Sequence, residues 1–104
     1  MNILITGTTG FLGSFLAKYF SKNHNIIAQS RNNHSNENNN IQQITMDLNA
    51  NLNLKKLGNI DTIIHCAGQA HVMSNKSTPL IHQYREANVL ATINLANEAI
   101  NCGV

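Results

Sequence analysis

Glycine stands at every third position in Thr6-Gly7-Thr8-Thr9-Gly10-Phe11-Leu12-Gly13, and this run constrains the fold more than any other part of the 104 residues. Upstream, Asn2-Ile3-Leu4-Ile5-Thr6 is a run of strand length, continuous and apolar, as expected of a strand buried on both faces of a parallel sheet. Downstream, Phe11, Leu12, Phe15, Leu16, Tyr19 and Phe20 recur at helical spacing while Lys18 and Lys22 fall outside that face. The spacing predicts an amphipathic helix whose core-facing side these six residues form.

The rest of the chain repeats short buried strands. Asn25-Ile26-Ile27-Ala28-Gln29 follows the turn Ser21–His24, Ile41–Thr45 gives a third strand, and Asp61-Thr62-Ile63-Ile64-His65 repeats the pattern of the first. Leu52, Leu54 and Leu57 offer only a short helical segment, ended by Gly58. Ser77 or Thr78 caps a long helix whose first position is Pro79, with Ile81, Tyr84, Ala87, Leu90, Ala91, Leu95, Ala99 and Ile100 as its buried stripe. Gly103 stands where a left-handed C-terminal cap belongs. The eighteen asparagines concentrate at Asn32–Asn40 and Asn49–Asn53, which read as solvated loops.

Right-handed crossovers between these elements give an α/β fold, with a parallel sheet in the order 3-2-1-4 and flanking helices. That is one half of a doubly wound architecture, held in a single domain over residues 1–104. The fourth strand, apolar on both faces, is left at an open edge that folded proteins cover or pair. The chain thus reads as stopping before a fifth strand, and the open edge is a route to oligomers.

Composition excludes several classes. Seven Lys and Arg against five Asp and Glu leave a net charge of only +2, too little to suggest a nucleic-acid partner. No apolar run approaches the roughly 20 residues that span a bilayer, and no signal-peptide pattern opens the chain, so it reads as cytoplasmic, with no membrane partner. Cys66 and Cys102 make no Cys-x-x-Cys pair. His65, Cys66 and His71 suit zinc by type, but neighbours on a strand point to opposite faces, and no metal site is assigned.

The glycine turn carries the chemistry. Gly7 permits a tight turn, Gly10 lets a pyrophosphate approach the backbone, and Gly13 lets the helix pack closely on the strands. Amides at the helix start face the anion, and the helix dipole adds positive potential without a lysine. A flexible turn is the plainer reading of such glycines, weakened here by the strand before and the helix after. A Walker-type loop needs Gly-Lys-Ser/Thr, and Gly13-Ser14 lacks the lysine.

Three further positions lie at strand ends. No carboxylate ends the second strand to accept from a ribose hydroxyl; instead Arg31 follows Ser30, either to clasp a phosphate or cover an adenine face, or as a solvated arginine. Asp47, with the Leu48 amide beside it, can accept from an adenine amino group or simply form a turn. Cys66-Ala67-Gly68-Gln69-Ala70 supplies small residues where a backbone must run close to a ligand.

Thr6 to Gly13, Asp47-Leu48, His65-Cys66-Ala67-Gly68-Gln69-Ala70-His71-Val72-Met73 and Asn88-Val89-Leu90-Ala91-Thr92-Ile93-Asn94-Leu95 together resemble the extended short-chain dehydrogenase/reductases, and within them the NAD-dependent epimerase/dehydratase family. The stretch from His65 to Met73, with Tyr84-Arg85-Glu86-Ala87-Asn88-Val89, is similar to members that epimerise or reduce nucleotide-linked sugars in polysaccharide synthesis. The resemblance covers nearly the whole chain. It implies a Rossmann domain with phosphates at Gly7, Gly10, Phe11 and Leu12, adenine near Asp47 and Leu48, the nicotinamide near Cys66 to Gln69, and Asn88 facing the cofactor. Cys66 and Gly68 depart from the bulkier Leu and Ala usual in the family.

A second departure concerns catalysis. The family resemblance implies hydride transfer between nicotinamide and a sugar carbon, with a tyrosine acid/base and a lysine four residues later. Here the fourth residues after Tyr19 and Tyr84 are Asn23 and Asn88, so no catalytic residue is assigned. The expected function is that of an NAD(P)-binding N-terminal part of a nucleotide-sugar epimerase, dehydratase or reductase, inactive alone, with the nucleotide sugar bound only in a longer chain. The alternative is a non-catalytic nucleotide-binding or cofactor-sensing module completed by a partner chain. NAD and NADP both stay open: Arg31 favours the second, the family resemblance the first.

Overall fold

The computed structural model describes residues 1–32, 40–68 and 80–104. Strands β1 (Asn2–Thr6), β2 (Asn25–Ser30), β3 (Ile41–Thr45) and β4 (Thr62–His65) form one sheet in the order β3-β2-β1-β4. All three pairings are parallel, with Ile5 opposite both Ala28 and Ile64. The expected Rossmann-type order is therefore observed, and β3 and β4 are the sheet's edges. Helix α1 (Phe11–Phe20) joins β1 to β2. A 3₁₀ turn (Leu54–Leu57) precedes β4, and beyond it α2 (Leu80–Tyr84), a π-helical turn (Arg85–Leu90) and α3 (Ala91–Cys102) follow one another. The expected cap at Ser77 or Thr78 and the first helical position at Pro79 lie outside the described residues.

Alternation along the strands sends apolar side chains to both faces, so the sheet is the centre of two cores. Ile3, Ile5, Ile26, Ala28 and Ile41 pack with Ala17 of α1 on one side. Leu4, Ile27, Leu48, Leu54 and Ile60 pack with Ala91 and Leu95 of α3 on the other. α3 ends as expected: Gly103 adopts φ 76°, and the Gly103 and Val104 amides donate to the Ile100 and Ala99 carbonyls in a Schellman cap.

Both helical stripes need correction. In α1 the face on the sheet is Gly13 and Ala17, flanked by half-buried Leu16 and Phe20, whereas Phe11 is 93% exposed and Leu12, Phe15 and Tyr19 also face solvent. The apolar arc of α1 is too wide to lie wholly against a sheet, and the missing side chain at Gly13 decides which part approaches. In the later helix Ile81, Leu90 and Ile100 are exposed, while half-buried Asn94 and Glu98 share the inward side with Ala91 and Leu95. Those two polar residues turn inward to bind loop backbone. Asn94 Nδ2 donates to the Leu48 and Ala50 carbonyls at 2.7 and 2.8 Å, and a Glu98 carboxylate oxygen accepts the Leu54 amide at 3.1 Å. Among the described residues no helix is long and apolar enough to cross a membrane.

Candidate functional site

Where β1 leaves the sheet, Gly7 takes φ +71°, a left-handed conformation that an L side chain rarely adopts. A Cβ there would also meet the Ala67 backbone nitrogen at 2.6 Å, so the turn packs directly on the exit of β4. The Gly10 amide donates back to the Gly7 carbonyl at 3.1 Å and closes the turn. Gly10 itself is extended, with φ −81° and ψ 170°, and caps α1 without a side-chain bond. A Cβ on Gly13 would overlap the Gly7 carbonyl oxygen and stand 2.8 Å from its carbon. Gly13 thus allows α1 to start hard against the turn, as its spacing implies.

Side chains from β1 and β2 fix this turn. Gln29, 1% exposed, accepts the Gly7 amide on Oε1 at 3.0 Å and donates from Nε2 to the Met46 carbonyl at 2.6 Å. Its own carbonyl accepts both the amide and the hydroxyl of Thr8, each at 3.1 Å. Across the turn, Thr6 Oγ1 accepts the amides of Cys66 and Ala67 at 3.0 and 3.1 Å. One buried glutamine therefore ties the glycine turn to the end of β3, and one buried threonine ties β1 to the exit of β4. Neither stood out among the candidate residues. The available signal is a polar residue in a strand otherwise buried throughout, because such a group is kept only where its hydrogen bonds are met.

Between these elements a crevice opens at the C-terminal edge of the sheet. Gly7, Thr9 and Gly10 form its floor; Gln29, Ser30 and Arg31 come from the end of β2. Asp47, Leu48 and Asn49 follow β3, and Cys66, Ala67 and Gly68 follow β4, with Ala91 of α3 at the back. The order of strands reverses between β1 and β4, and open α/β sheets bind ligands at such a reversal.

The expected residues divide into groups. Gly7, Gly10, Arg31, Asp47, Leu48, Cys66, Ala67 and Gly68 line the crevice together. Phe11, Leu12 and Gly13 do not line it; Phe11 and Leu12 turn their side chains to solvent, and what they offer an anion is backbone N–H of the helix's first turn. Asn88 stands behind Gly68, its Oδ1 placed 2.7 Å from where a Gly68 Cβ would be. Gln69 lies outside the described residues.

The chemistry of the lining is that of a holder. Asp47 uses one carboxylate oxygen to accept the Asn49 amide at 2.9 Å, so its turn-forming role is realised at the crevice wall. Burial pushes the Cys66 thiol above its ordinary value, which keeps it protonated and a poor nucleophile. Neither tyrosine lines the crevice: Tyr19 stacks on Phe15 at the solvent side of α1, 6.2 Å between ring centres. Among the described residues no group of three or more His, Cys, Asp and Glu is placed to hold a metal ion.

Known proteins are similar to this chain in sequence and in fold. A UDP-glucose 4-epimerase from Vibrio cholerae is 37% identical over 105 residues, covering 99% of this chain and 32% of its own length. MoeE5 in complex with UDP-glucuronic acid and NAD superimposes with a TM-score of 0.82 at 33% identity, over 100% of this chain and 34% of its own. A UDP-glucuronic acid 4-epimerase from Bacillus cereus, in complex with a fluorinated UDP-sugar and NAD, gives 0.78 at 25% identity, over 95% of this chain and 36% of its own. The chain spans about a third of the length of these relatives. The sequence pattern of one family matches residues 3–104, from β1 through α3, and the chain belongs to the NAD dependent epimerase/dehydratase family.

Proposed function

We propose that this chain is the dinucleotide-holding N-terminal part of an epimerase, dehydratase or reductase acting on nucleotide sugars, with NAD as its cofactor. The observation that carries the reading is the glycine turn, with Gly7 at φ +71° packed on the Ala67 backbone at the strand reversal. Its cradle fits a pyrophosphate, because side chains at Gly7 or Gly13 would fill or distort it and none of the lining is acidic except Asp47. MoeE5 and the Bacillus cereus epimerase hold NAD in their structures, which supports NAD here.

In this reading the first amides of α1 and the positive end of its dipole receive the diphosphate. Asp47 and the Leu48 amide border the adenine end, and Cys66, Ala67 and Gly68 give the nicotinamide end a wall without bulk. The bound dinucleotide would supply hydride acceptance and donation. The protonated Cys66 thiol offers no competing nucleophile, and no proton-transfer step is assigned to this chain's residues. Arg31 at the rim is the residue that would admit a 2′-phosphate.

Titration of the 104-residue chain with NADH and with NADPH, followed by calorimetry, tests the reading. Saturable one-to-one binding of NADH is expected, with no turnover of UDP-sugars. A folded chain that bound neither dinucleotide at millimolar concentration would overturn it.

A further inference from the structure

His65 ends β4 just behind the crevice, and its surroundings permit a single arrangement of protons. Thr6 Oγ1 already accepts the Cys66 and Ala67 amides, which fills both its lone pairs. Its one proton is left for His65 Nδ1, 2.7 Å away, so Nδ1 is an acceptor. On the far side of the ring, Thr92 Oγ1 donates to the Asn88 carbonyl at 2.9 Å. That hydroxyl, 2.9 Å from His65 Nε2, must therefore accept, and Nε2 carries the proton. The imidazole is neutral. Partial burial favours the same form, holding its pKa below the ordinary value.

Both ends of this chain of bonds return to the crevice. Cys66, Ala67 and Gly68 form its β4 wall, and Asn88 leans on Gly68 from the π-helical turn. We propose that His65 is a positioning residue of the dinucleotide crevice: as a neutral Nε2–H imidazole it holds the Cys66–Gly68 turn and the π-helical turn at a fixed separation, and protonation releases them. A second proton, on Nδ1, would point a donor at Thr6 Oγ1, whose lone pairs are filled. Either the ring leaves or a backbone amide of the crevice wall loses its acceptor.

Among the described residues the groups able to modulate this are few. β1 carries no titratable side chain from Asn2 to Thr6, and just past β4 the neutral Cys66 thiol stands beside the ring. The helical stretch carries His82, Tyr84, Arg85 and Glu86 before Asn88, and Glu98 and Cys102 beyond Thr92; the Glu98 carboxylate is engaged by the Leu54 amide.

The inference rests on the dinucleotide reading for what the positioning serves, but its first test does not need a ligand. Long-range ¹H–¹⁵N correlation on the 104-residue chain reads the imidazole tautomer directly. A single Nε2–H form is expected at neutral pH, and on acidification the Cys66, Ala67, Gly68 and Asn88 amides should shift with the midpoint of His65 itself. T92S and T92V should both keep the tautomer, because Thr6 alone makes Nδ1 the acceptor, but T92V leaves the Nε2 proton without its acceptor, and NADH binding should weaken about threefold to tenfold in T92V alone. Thr92 is exposed, so both variants should fold. An Nδ1–H tautomer, or crevice amides indifferent to the His65 titration, would overturn the inference. Failure of the wild-type chain to bind NADH would overturn the dinucleotide reading instead, and the tautomer and amide shifts would still decide whether His65 is the clamp.

Discussion

The two walls of the crevice are built by opposite means. On the α1 side the backbone itself is the wall, and its shape is fixed by what is missing: side chains at Gly7, Gly10 and Gly13. On the β4 side, the Thr6 and Thr92 hydroxyls, the His65 imidazole, the Cys66 and Ala67 amides and the Asn88 carbonyl hold the wall through directed hydrogen bonds. The first wall resists change through steric overlap, which is steep. The second depends on proton positions and hydrogen bonds, each worth about 1 kcal/mol net and open to pH. A substitution or a change of conditions should therefore act very differently on the two.

Gly7→Ala should have the largest effect. It forces an L residue to φ +71° and drives a methyl to within 2.6 Å of the Ala67 nitrogen, so it prises the two walls apart. Left-handed strain and overpacking together predict a loss of about 3 kcal/mol or more, visible as loss of the cooperative urea transition by circular dichroism. A transition close to that of the wild type would mean that the contact between walls is softer than its geometry implies.

Gln29→Leu comes next, because it leaves the wall's shape alone and removes what anchors it. The Gly7 amide and the Met46 carbonyl both lose their partner in a buried setting, which predicts a loss of about 2 to 3 kcal/mol in urea unfolding. Gln29→Glu sharpens the comparison, since a carboxylate still accepts from Gly7 but cannot donate to Met46. Its expected cost exceeds that of Leu at neutral pH, where a buried charge faces a carbonyl, and should shrink as the solution is acidified and the carboxyl protonates.

The contrast also explains what the sequence discloses. Glycine spacing is local and written in residue identity, so the turn, the four strands, their order and Gly103 were all legible. Gln29, Thr6 and His65 were not, because their roles depend on partners 17 to 61 residues away whose placement only the fold provides. The helical faces depart from the apolar periodicity for a related reason. Asn94 and Glu98 turn inward to serve the Leu48–Ala50 loop and the 3₁₀ turn, while Leu90 and Ile100 turn outward, an exchange that apolar periodicity alone cannot express.

Acid should loosen the β4 wall first. The pKa of His65 is held below 6.5 in the folded chain, so between that depressed value and 6.5 the unfolded chain binds more protons. The contribution of His65 to stability is full above pH 6.5, falls as the pH drops through this window, and levels off below the folded pKa. His65→Gln should flatten this part of the pH profile of urea unfolding. It keeps a donor for Thr92 but offers no ring to titrate. A profile unchanged by the substitution would assign the pH dependence to another group.

Gly10→Ala should have the least effect on the fold and so isolates the ligand. Gly10 sits at φ −81° and ψ 170°, a conformation open to any residue, and replacing glycine there lowers the entropy of the unfolded chain, worth about 0.4 to 1 kcal/mol in favour of folding. Against this, the new Cβ would approach the Gly7 carbonyl oxygen to 3.3 Å, closer than a relaxed contact, and it meets nothing else within 4 Å among the described residues beyond its chain neighbours. The two effects nearly cancel, and unfolding should change by less than about 0.5 kcal/mol. The methyl group, however, stands at the crevice floor, where a pyrophosphate would need the bare backbone. NADH binding should fall at least tenfold while the urea midpoint stays put. If affinity were unchanged as well, the diphosphate would not lie over Gly10, and the β4 wall rather than the glycine turn would be the surface that holds the ligand.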